Sequence, residues 1–139
     1  MLKFQAIEDK RLLIINCPPE LDYAYASSVL TKVYFENDGK YSSYNSFVNL
    51  SALERNNLNI NAYMESMRVY LSMKPKDIPV RIAVLVRPEF METFSTVHKV
   101  TSEFNNISLL ISPYHEQCAS FLNLDSNELL SFAGAAFRN

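Results

Sequence analysis

Glycine, tryptophan and long apolar runs are scarce or missing in this sequence of 139 residues. It has two glycines, Gly39 and Gly134, and no tryptophan. Two glycines are too few for the glycine-rich loops that hold phosphate groups, and neither G-x-G-x-x-G nor G-x-x-x-x-G-K occurs. The longest aliphatic runs, Leu12–Ile15 and Ile82–Val86, fall far short of the roughly 18 residues of a membrane span. We therefore expect neither a phosphate loop of these kinds nor membrane insertion.

An excess of charge of one sign is also missing, since 13 Lys+Arg against 15 Asp+Glu give a net charge of −2. Basic residues are interleaved with acids, whereas nucleic-acid binding needs a basic face, so we expect no nucleic-acid partner. The N-terminal segment lacks the apolar stretch of a signal peptide, which predicts a cytoplasmic protein. There, Cys17 and Cys118 are reduced thiols, and their apolar neighbours favour structural burial.

What the sequence does contain is an alternation of strand and helix patterns. The strand patterns are Lys3–Glu8, Leu12–Cys17, Phe47–Leu50, Val80–Val86 and Ile107–Ile111. The helical patterns are Leu21–Glu36, Asn61 to the residue before Pro75, Pro88–Phe104, Ser112–Leu122 and Asp125–Phe137. The order β-β-α-β-α-β-α-β-α, with an extra C-terminal helix, predicts one α/β domain with a mostly parallel sheet and an antiparallel first strand.

Polar signals mark where several of these helices begin and end. Asn61 is predicted to cap the second helix, and Pro75 forbids its continuation. The string Asp125-Ser126-Asn127-Glu128 resembles a capping box at the start of the last helix. These signals predict sharp boundaries for both helices.

Three strings, after a leading hairpin, match a known pattern: Phe47-Val48-Asn49-Leu50-Ser51, the strand Arg81–Val86 and the segment Glu116–Leu122. Together they resemble the SpoIIAA-like branch of the STAS domains over residues 2–122. The resemblance implies the layered STAS fold for residues 1–122, with residues 123–139 as a C-terminal amphipathic helical extension. It also implies a non-enzymatic bacterial module that acts by protein–protein interaction, as anti-sigma-factor antagonists and cytoplasmic modules of anion transporters do.

By the same resemblance, the partner-binding edge comprises the loop after the third strand and the start of the next helix. Asn49, Ser51 and Asn61 are its polar contacts. Binding beyond the carboxyl ends of parallel strands is also general in α/β sheets. Asn61 stands where the antagonists have a phosphorylatable serine, so their phosphate switch is not expected here. The alternative for all three residues is that they cap loops.

Aromatic and methionine side chains suggest a second hypothesis, carriage of a small amphipathic or lipid-like ligand. Tyr63, Met64, Met67, Tyr70 and Met73 lie on one predicted helix, and methionine adapts to irregular apolar ligands. Core packing is the competing explanation. A second aromatic group has the same two interpretations, an interface or cleft against ordinary packing. Its members are Tyr23, Tyr25, Tyr34, Phe35, Tyr41, Tyr44 and Phe47.

Catalytic patterns are weak in this sequence. His115 and Cys118 are three residues apart and share a helical face, but no second pair with metal-ligand spacing completes a zinc site. His98 has no companion at catalytic spacing. Glu89 and Glu92 lie at a predicted helix start, where the helix dipole favours acids. We therefore expect no catalytic residue, no metal and no cofactor.

The predicted C-terminal helix has an apolar face on a chain that already has helices to cover its sheet. Such a face is buried on its own domain, on a second copy or on a partner. We predict self-association as a homodimer through Leu129, Phe132 and Phe137, with packing inside the chain as the alternative.

Overall fold

The computed structural model describes residues 2–54, 59–73, 77–102 and 106–133, which form one five-stranded sheet and five helices. The strands are β1 (Lys3–Ile7), β2 (Leu12–Asn16), β3 (Asn45–Asn49), β4 (Val80–Leu85) and β5 (Ile107–Ser112). The helices are α1 (Tyr23–Gly39), α2 (Ile60–Met73), α3 (Ser95–Thr101), α4 (His115–Phe121) and α5 (Ser126–Ala133). The predicted α/β class is confirmed.

The sheet has its strands in chain order, β1-β2-β3-β4-β5. β1 pairs antiparallel with β2, and β2, β3, β4 and β5 are parallel neighbours. The mostly parallel sheet with an antiparallel first strand is therefore as predicted. β4 has buried residues from Ile82 to Leu85, as expected for a strand covered on both sides, and only Arg81 at its start is exposed.

Chain order places three helices on one face of the sheet, because consecutive right-handed crossovers that advance in one direction all pass over the same side. We call this the first face; Leu13, Ile15, Ile82 and Val84 are its central strand residues. Buried residues of the three crossover helices pack on it: Tyr34 from α1, Tyr63 and Tyr70 from α2, and Val97 from α3.

The opposite side, the second face, carries the two C-terminal helices. Its strand residues are Leu12, Ile14, Phe47, Ala83 and Leu85. Cys118, Ala119 and Leu122 from α4 and its end, together with Leu129 and Ala133 from α5, complete this cluster. The C-terminal part of the described chain therefore covers a sheet face that the crossover helices leave open.

Local signals explain several helix ends. Asp22 Oδ1 accepts the backbone N–H of Tyr25 at 3.1 Å and so caps α1. Gly39 ends this helix with φ +72°, a left-handed conformation that side chains rarely adopt. The predicted capping box of α5 is confirmed, since Asp125 Oδ1 accepts from Asn127 N at 2.7 Å and Glu128 Oε1 accepts from Asp125 N at 3.2 Å.

The third predicted helix is wrong as a continuous element. Pro88–Phe90 forms one 3₁₀ turn, residues 91–94 form further turns, and α3 begins only at Ser95. The bend lets Phe90 and Phe94 both reach the core, where they are 2% and 0% exposed. Phe104, the predicted end, lies outside the described residues. In the part of the chain described here, no helix combines the length and apolarity that crossing a bilayer requires.

Candidate functional site

The carboxyl edge of the parallel sheet brings the last residues of four strands into one row. Asn16, Asn49, Leu85 and Ser112 are neighbours in register across β2 to β5. Backbone hydrogen bonds continue past the strands: Leu50 N donates to Leu85 O at 2.8 Å, and Val86 N donates to Ser112 O at 3.1 Å. The loops that follow β2, β3 and β4 therefore all begin at the same edge of the sheet.

Asn49 organises the loop after β3 from a buried position, since it is only 3% exposed. Its Nδ2 donates to Asn16 Oδ1 at 3.1 Å. Its Oδ1 accepts from Ser51 N at 3.0 Å and from Ser51 Oγ at 2.6 Å. These bonds satisfy an amide whose burial would otherwise be costly, and they hold Ser51 in place. The structure therefore brings two of the three predicted contact residues together, with Asn49 as the positioning residue.

Arg87, two residues beyond the end of β4, supports the same loop, and no sequence pattern predicted this role. Its Nε donates to the carbonyl of Ser51 at 3.1 Å, and its Nη2 donates to the carbonyl of Ala52 at 3.4 Å. Nη1 lies 3.6 Å from Glu89 Oε1. The sequence feature that could have predicted this role is an arginine just after a buried strand. That position lies at the edge where the carbonyls of the loops need hydrogen-bond donors.

Asn61 is placed differently from Asn49 and Ser51. It is the second residue of α2 and is exposed. The cap of α2 is Asn59, whose Oδ1 accepts the N–H of Ala62 at 3.1 Å, so the prediction that Asn61 is the cap was wrong. The N–H of Asn59 also donates to the hydroxyl of Tyr23 at 3.1 Å. Asn61 therefore stands at the same edge of the sheet with its side chain exposed.

A cleft of about 80 Å³ lies between α1, α2 and the first face. Most of its lining is apolar or aromatic, and the hydroxyls of Ser27 and Ser66 hydrogen-bond to each other beside it. Among the residues of the predicted ligand stripe, three line this cleft: Tyr63, Met67 and Tyr70. Met64 packs against the core elsewhere, and nothing is described of the Met73 side chain. Three residues of the stripe thus border a space, and Met64 is packing.

The tyrosines around this cleft have buried rings. Tyr34 and Tyr70 pack with ring centroids 4.6 Å apart, and Tyr63 meets Phe94 at 5.2 Å. Burial raises the pKa of Tyr34 to about 12 and raises the pKa of Tyr63 and Tyr70. These hydroxyls are therefore neutral near pH 7. Within the described part of the chain, the Tyr70 hydroxyl is buried without a hydrogen-bond partner.

The remaining tyrosines of the aromatic group divide between packing and solvent. Tyr44 is buried and meets the ring of Tyr41 at 5.2 Å, at the opposite, amino edge of the sheet. Tyr25 is 49% exposed on α1. Tyr23 is half-buried and lines the cleft together with Tyr34. The group is therefore not one surface, and among the members whose side chains are described, Tyr23 and Tyr34 border the cleft; the Phe35 side chain lies outside the description.

Both cysteines are free and buried. Cys17 lines the cleft, and burial raises its pKa to about 12. Cys118 is 0% exposed on the second face, and burial, with a smaller contribution from the charge of Glu116, raises its pKa to about 12. A thiol that stays protonated is a poor nucleophile and a poor metal ligand. Among the described residues, no three His, Cys, Asp or Glu side chains are grouped to hold a metal ion.

The two histidines, Glu89 and Glu92 are not part of the lining of the cleft. At the start of α4, Nε2 of His115 lies 3.4 Å from Oε1 of Glu116. His98 is exposed on α3, beside the edge strand β5. Glu89 and Glu92 are exposed, and Glu89 pairs with Arg87.

The predicted interface residues of the last helix have separate locations. Leu129 is 0% exposed and packs on the second face of its own sheet, so its side chain is not available to a second copy. Phe132 is half-buried against the same cluster. Phe137 lies outside the described residues. The structure therefore shows Leu129 packed within its own chain, which was the alternative to self-association.

Comparisons of this chain with protein-family models, with curated proteins and with solved structures each returned no match.

Proposed function

We propose that this chain is a non-enzymatic, STAS-like binding domain that acts by contacting another protein at the carboxyl edge of its sheet. The observation that carries the proposal is the loop after β3, residues 50–54, which buried Asn49 and the donors of Arg87 hold in one conformation. A loop that is ordered before binding loses less conformational entropy when a partner arrives.

The order of elements supports the STAS-like assignment. A leading antiparallel hairpin strand, a parallel sheet and a helix after each of the parallel strands form the arrangement that the resemblance implies. In this fold the start of α2 lies beside the loop after β3, because a crossover helix begins at the carboxyl edge. Exposed Asn61 and half-buried Ser51 are therefore contact positions on one surface.

The proposal locates the protein in the cytoplasm. Two free cysteines, both buried, are the form expected in a reducing compartment, where their stability contribution comes from packing. A binding role also agrees with the raised pKa of both thiols, which leaves them without nucleophilic reactivity near pH 7.

Site-specific photo-crosslinking in the native cells tests the partner edge. A photoreactive amino acid replaces Asn61 at the carboxyl edge or, as the matched control, exposed Asp9 at the amino edge. We expect a discrete crosslinked protein from position 61 that position 9 does not give. Equal products from both positions, or none from position 61, would contradict the proposal.

The dependence of the crosslink on the loop is a second arm of the same experiment. Asn49→Ala removes the acceptor that holds Ser51 while leaving position 61 exposed. We expect the crosslink yield to fall several-fold while circular dichroism shows the protein folded. An unchanged yield in a folded Asn49→Ala protein would mean that the loop does not form the contact surface.

A further inference from the structure

We propose that the cleft between α1, α2 and the first face is a binding site for a short amphipathic molecule, one with an aliphatic body and a single hydroxyl or carbonyl group. The body would lie among the apolar lining, and the polar group would pair with the hydroxyl of Tyr70. The site shares Leu50 with the loop after β3, but the proposed contact positions Ser51 and Asn61 are not part of its lining.

The size and lining of the cleft determine the chemical class. Apolar and aromatic side chains supply most of the wall, including Ile15, Leu30, Leu50 and Met67. Its volume is about 80 Å³. An engineered apolar cavity of about 150 Å³ binds benzene, so a space half that size suits a chain of about three to five carbon atoms.

The Tyr70 hydroxyl is the reason why the ligand needs one polar group. The side chain is 7% exposed, and its hydroxyl has no hydrogen-bond partner among the described residues. A buried hydroxyl without a partner is unfavourable, and a ligand atom that accepts or donates a hydrogen bond there removes that cost. Contact with the Tyr34 ring, at 4.6 Å between ring centroids and with the two planes inclined by 50°, holds the direction of the Tyr70 ring.

The cleft is reachable without unfolding. Leu30, Thr31 and Val69 belong to its lining and are themselves partly exposed, so they mark the side that meets solvent between α1 and α2. The hydrogen bond between the Ser27 and Ser66 hydroxyls joins the two helices beside this opening. A small molecule can therefore enter along the helix pair while the sheet stays intact.

Two soluble probes of similar length test the proposal: butan-1-ol, which can hydrogen-bond, and 1-chlorobutane, which cannot do so comparably. Each is titrated into the full-length protein while the methyl NMR signals of Ile15, Leu50 and Met67 are followed. We expect saturable shifts of these signals with both probes and tighter binding of butan-1-ol. Shifts that do not saturate, or that appear only at residues outside the cleft, would overturn the proposal.

Tyr70→Phe removes the hydroxyl and keeps the ring. We expect it to weaken butan-1-ol about three- to ten-fold, the effect of one lost hydrogen bond, and to leave 1-chlorobutane binding unchanged. Tyr25→Phe, at a tyrosine that is 49% exposed, is the matched control and leaves both affinities unchanged. Equal affinities for butan-1-ol in the wild type and Tyr70→Phe would overturn the role of Tyr70.

Filling the cleft gives an independent check. Ala26 lies in the lining and is 6% exposed, so Ala26→Leu places three additional carbon atoms in the space. We expect loss of binding of both probes while circular dichroism shows a folded protein. If a folded Ala26→Leu protein binds both probes as the wild type does, the probes bind elsewhere and the proposal is wrong. Loss of binding here does not affect the crosslinking result at position 61, so the two proposals fail separately.

Discussion

The two faces of the sheet are covered by different kinds of side chains. On the first face, α1 and α2 contribute large residues with polar tips, among them Tyr34, Tyr63 and Tyr70, and leave a cleft beside them. On the second face, the buried residues of α4 and α5 are small or aliphatic, such as Ala119 and Leu129, and the phenylalanines Phe121 and Phe132 pack only at its margin. Small residues let a helix approach the sheet closely, whereas tyrosine rings keep the helix further away and leave gaps between them.

The difference separates stability from binding. The second-face cluster has no buried hydroxyl group on its helices among the residues described, so the cluster itself stabilises the fold through apolar burial. The first face buries polar groups that packing by itself does not need, and the Tyr70 hydroxyl is one of those that lack a hydrogen-bond partner within the described chain. A fold keeps such groups at a cost in stability, and ligand binding is the use that we propose for this one.

The largest effect that tests this comparison is expected at Leu129. Leu129→Ala leaves a cavity in a fully buried cluster, and we expect a loss of about 2–5 kcal/mol in the free energy of unfolding. Met67→Ala, at a partly exposed residue that already borders the cleft, is expected to cost less than about 2 kcal/mol. Urea denaturation measures both.

If Leu129→Ala lowers the free energy of unfolding no more than Met67→Ala does, the second face is not the more tightly packed one and the comparison fails.

Sedimentation of the same proteins tests the homodimer. If Leu129→Ala changes the mass in solution without a loss of stability, α5 is part of an interface between copies after all.

Alkaline pH is expected to destabilise the protein mainly through the first face. Four groups on the first face have a raised pKa: Cys17, Tyr34, Tyr63 and Tyr70. On the second face, Cys118 also has a raised pKa. A raised pKa in the folded state gives stability that is complete below the ordinary pKa and is lost above it. Since the ordinary values are 9.0 for the thiol and 10.0 for tyrosine, stability should fall from about pH 9 toward pH 12.

Tyr63→Phe reports how much of this decline one first-face hydroxyl causes. Between pH 9 and pH 11, we expect the free energy of unfolding of the variant to fall by about 1 kcal/mol less than that of the wild type, because one group no longer ionises on unfolding. Exposed Tyr25→Phe should follow the wild-type profile. An identical profile for Tyr63→Phe and the wild type, measured by urea denaturation at each pH, would contradict the role of the buried hydroxyl.

The smallest expected effect distinguishes two asparagines at the start of α2, the helix that forms one wall of the cleft. Asn59→Ala removes the cap of Ala62 N–H and should cost about 1 kcal/mol. Asn61→Ala, at an exposed position in the first turn, should change stability by less than about 0.5 kcal/mol. Thermal unfolding measures the pair, and the reverse order would restore the original assignment of Asn61 as the cap.

Strand and helix order could be predicted from the sequence because it depends on local periodicity. The apolar run Leu12–Cys17 and the β-branched run Val80–Val86 both correspond to buried strands. Pro75, the predicted stop of the second helix, lies outside the described residues. The third helix was less predictable. Its periodicity from Pro88 onward fits one helix, but burial of both Phe90 and Phe94 is compatible with a bent path.

Of the candidate site, the sequence located Asn49 and Ser51 but not how they are held. The bond from Asn49 to Asn16 and the bonds from Arg87 to the loop carbonyls each join residues more than 30 positions apart. Periodicity and capping rules act over a few residues, so neither rule detects such pairs. The cleft was suggested only as a stripe of Tyr63, Met67 and Tyr70, because a space exists only once α1 stands beside α2.

The sequence by itself determined the α/β class, the antiparallel first strand and the capping box of α5, since each is encoded within a short stretch of chain. Only the tertiary structure decided which sheet face each helix covers and therefore where Leu129 is buried. It likewise decided that the Tyr70 hydroxyl is enclosed without a partner among the described residues. The physical reason is that burial and hydrogen bonding between distant segments depend on how whole elements pack together, which local patterns do not specify.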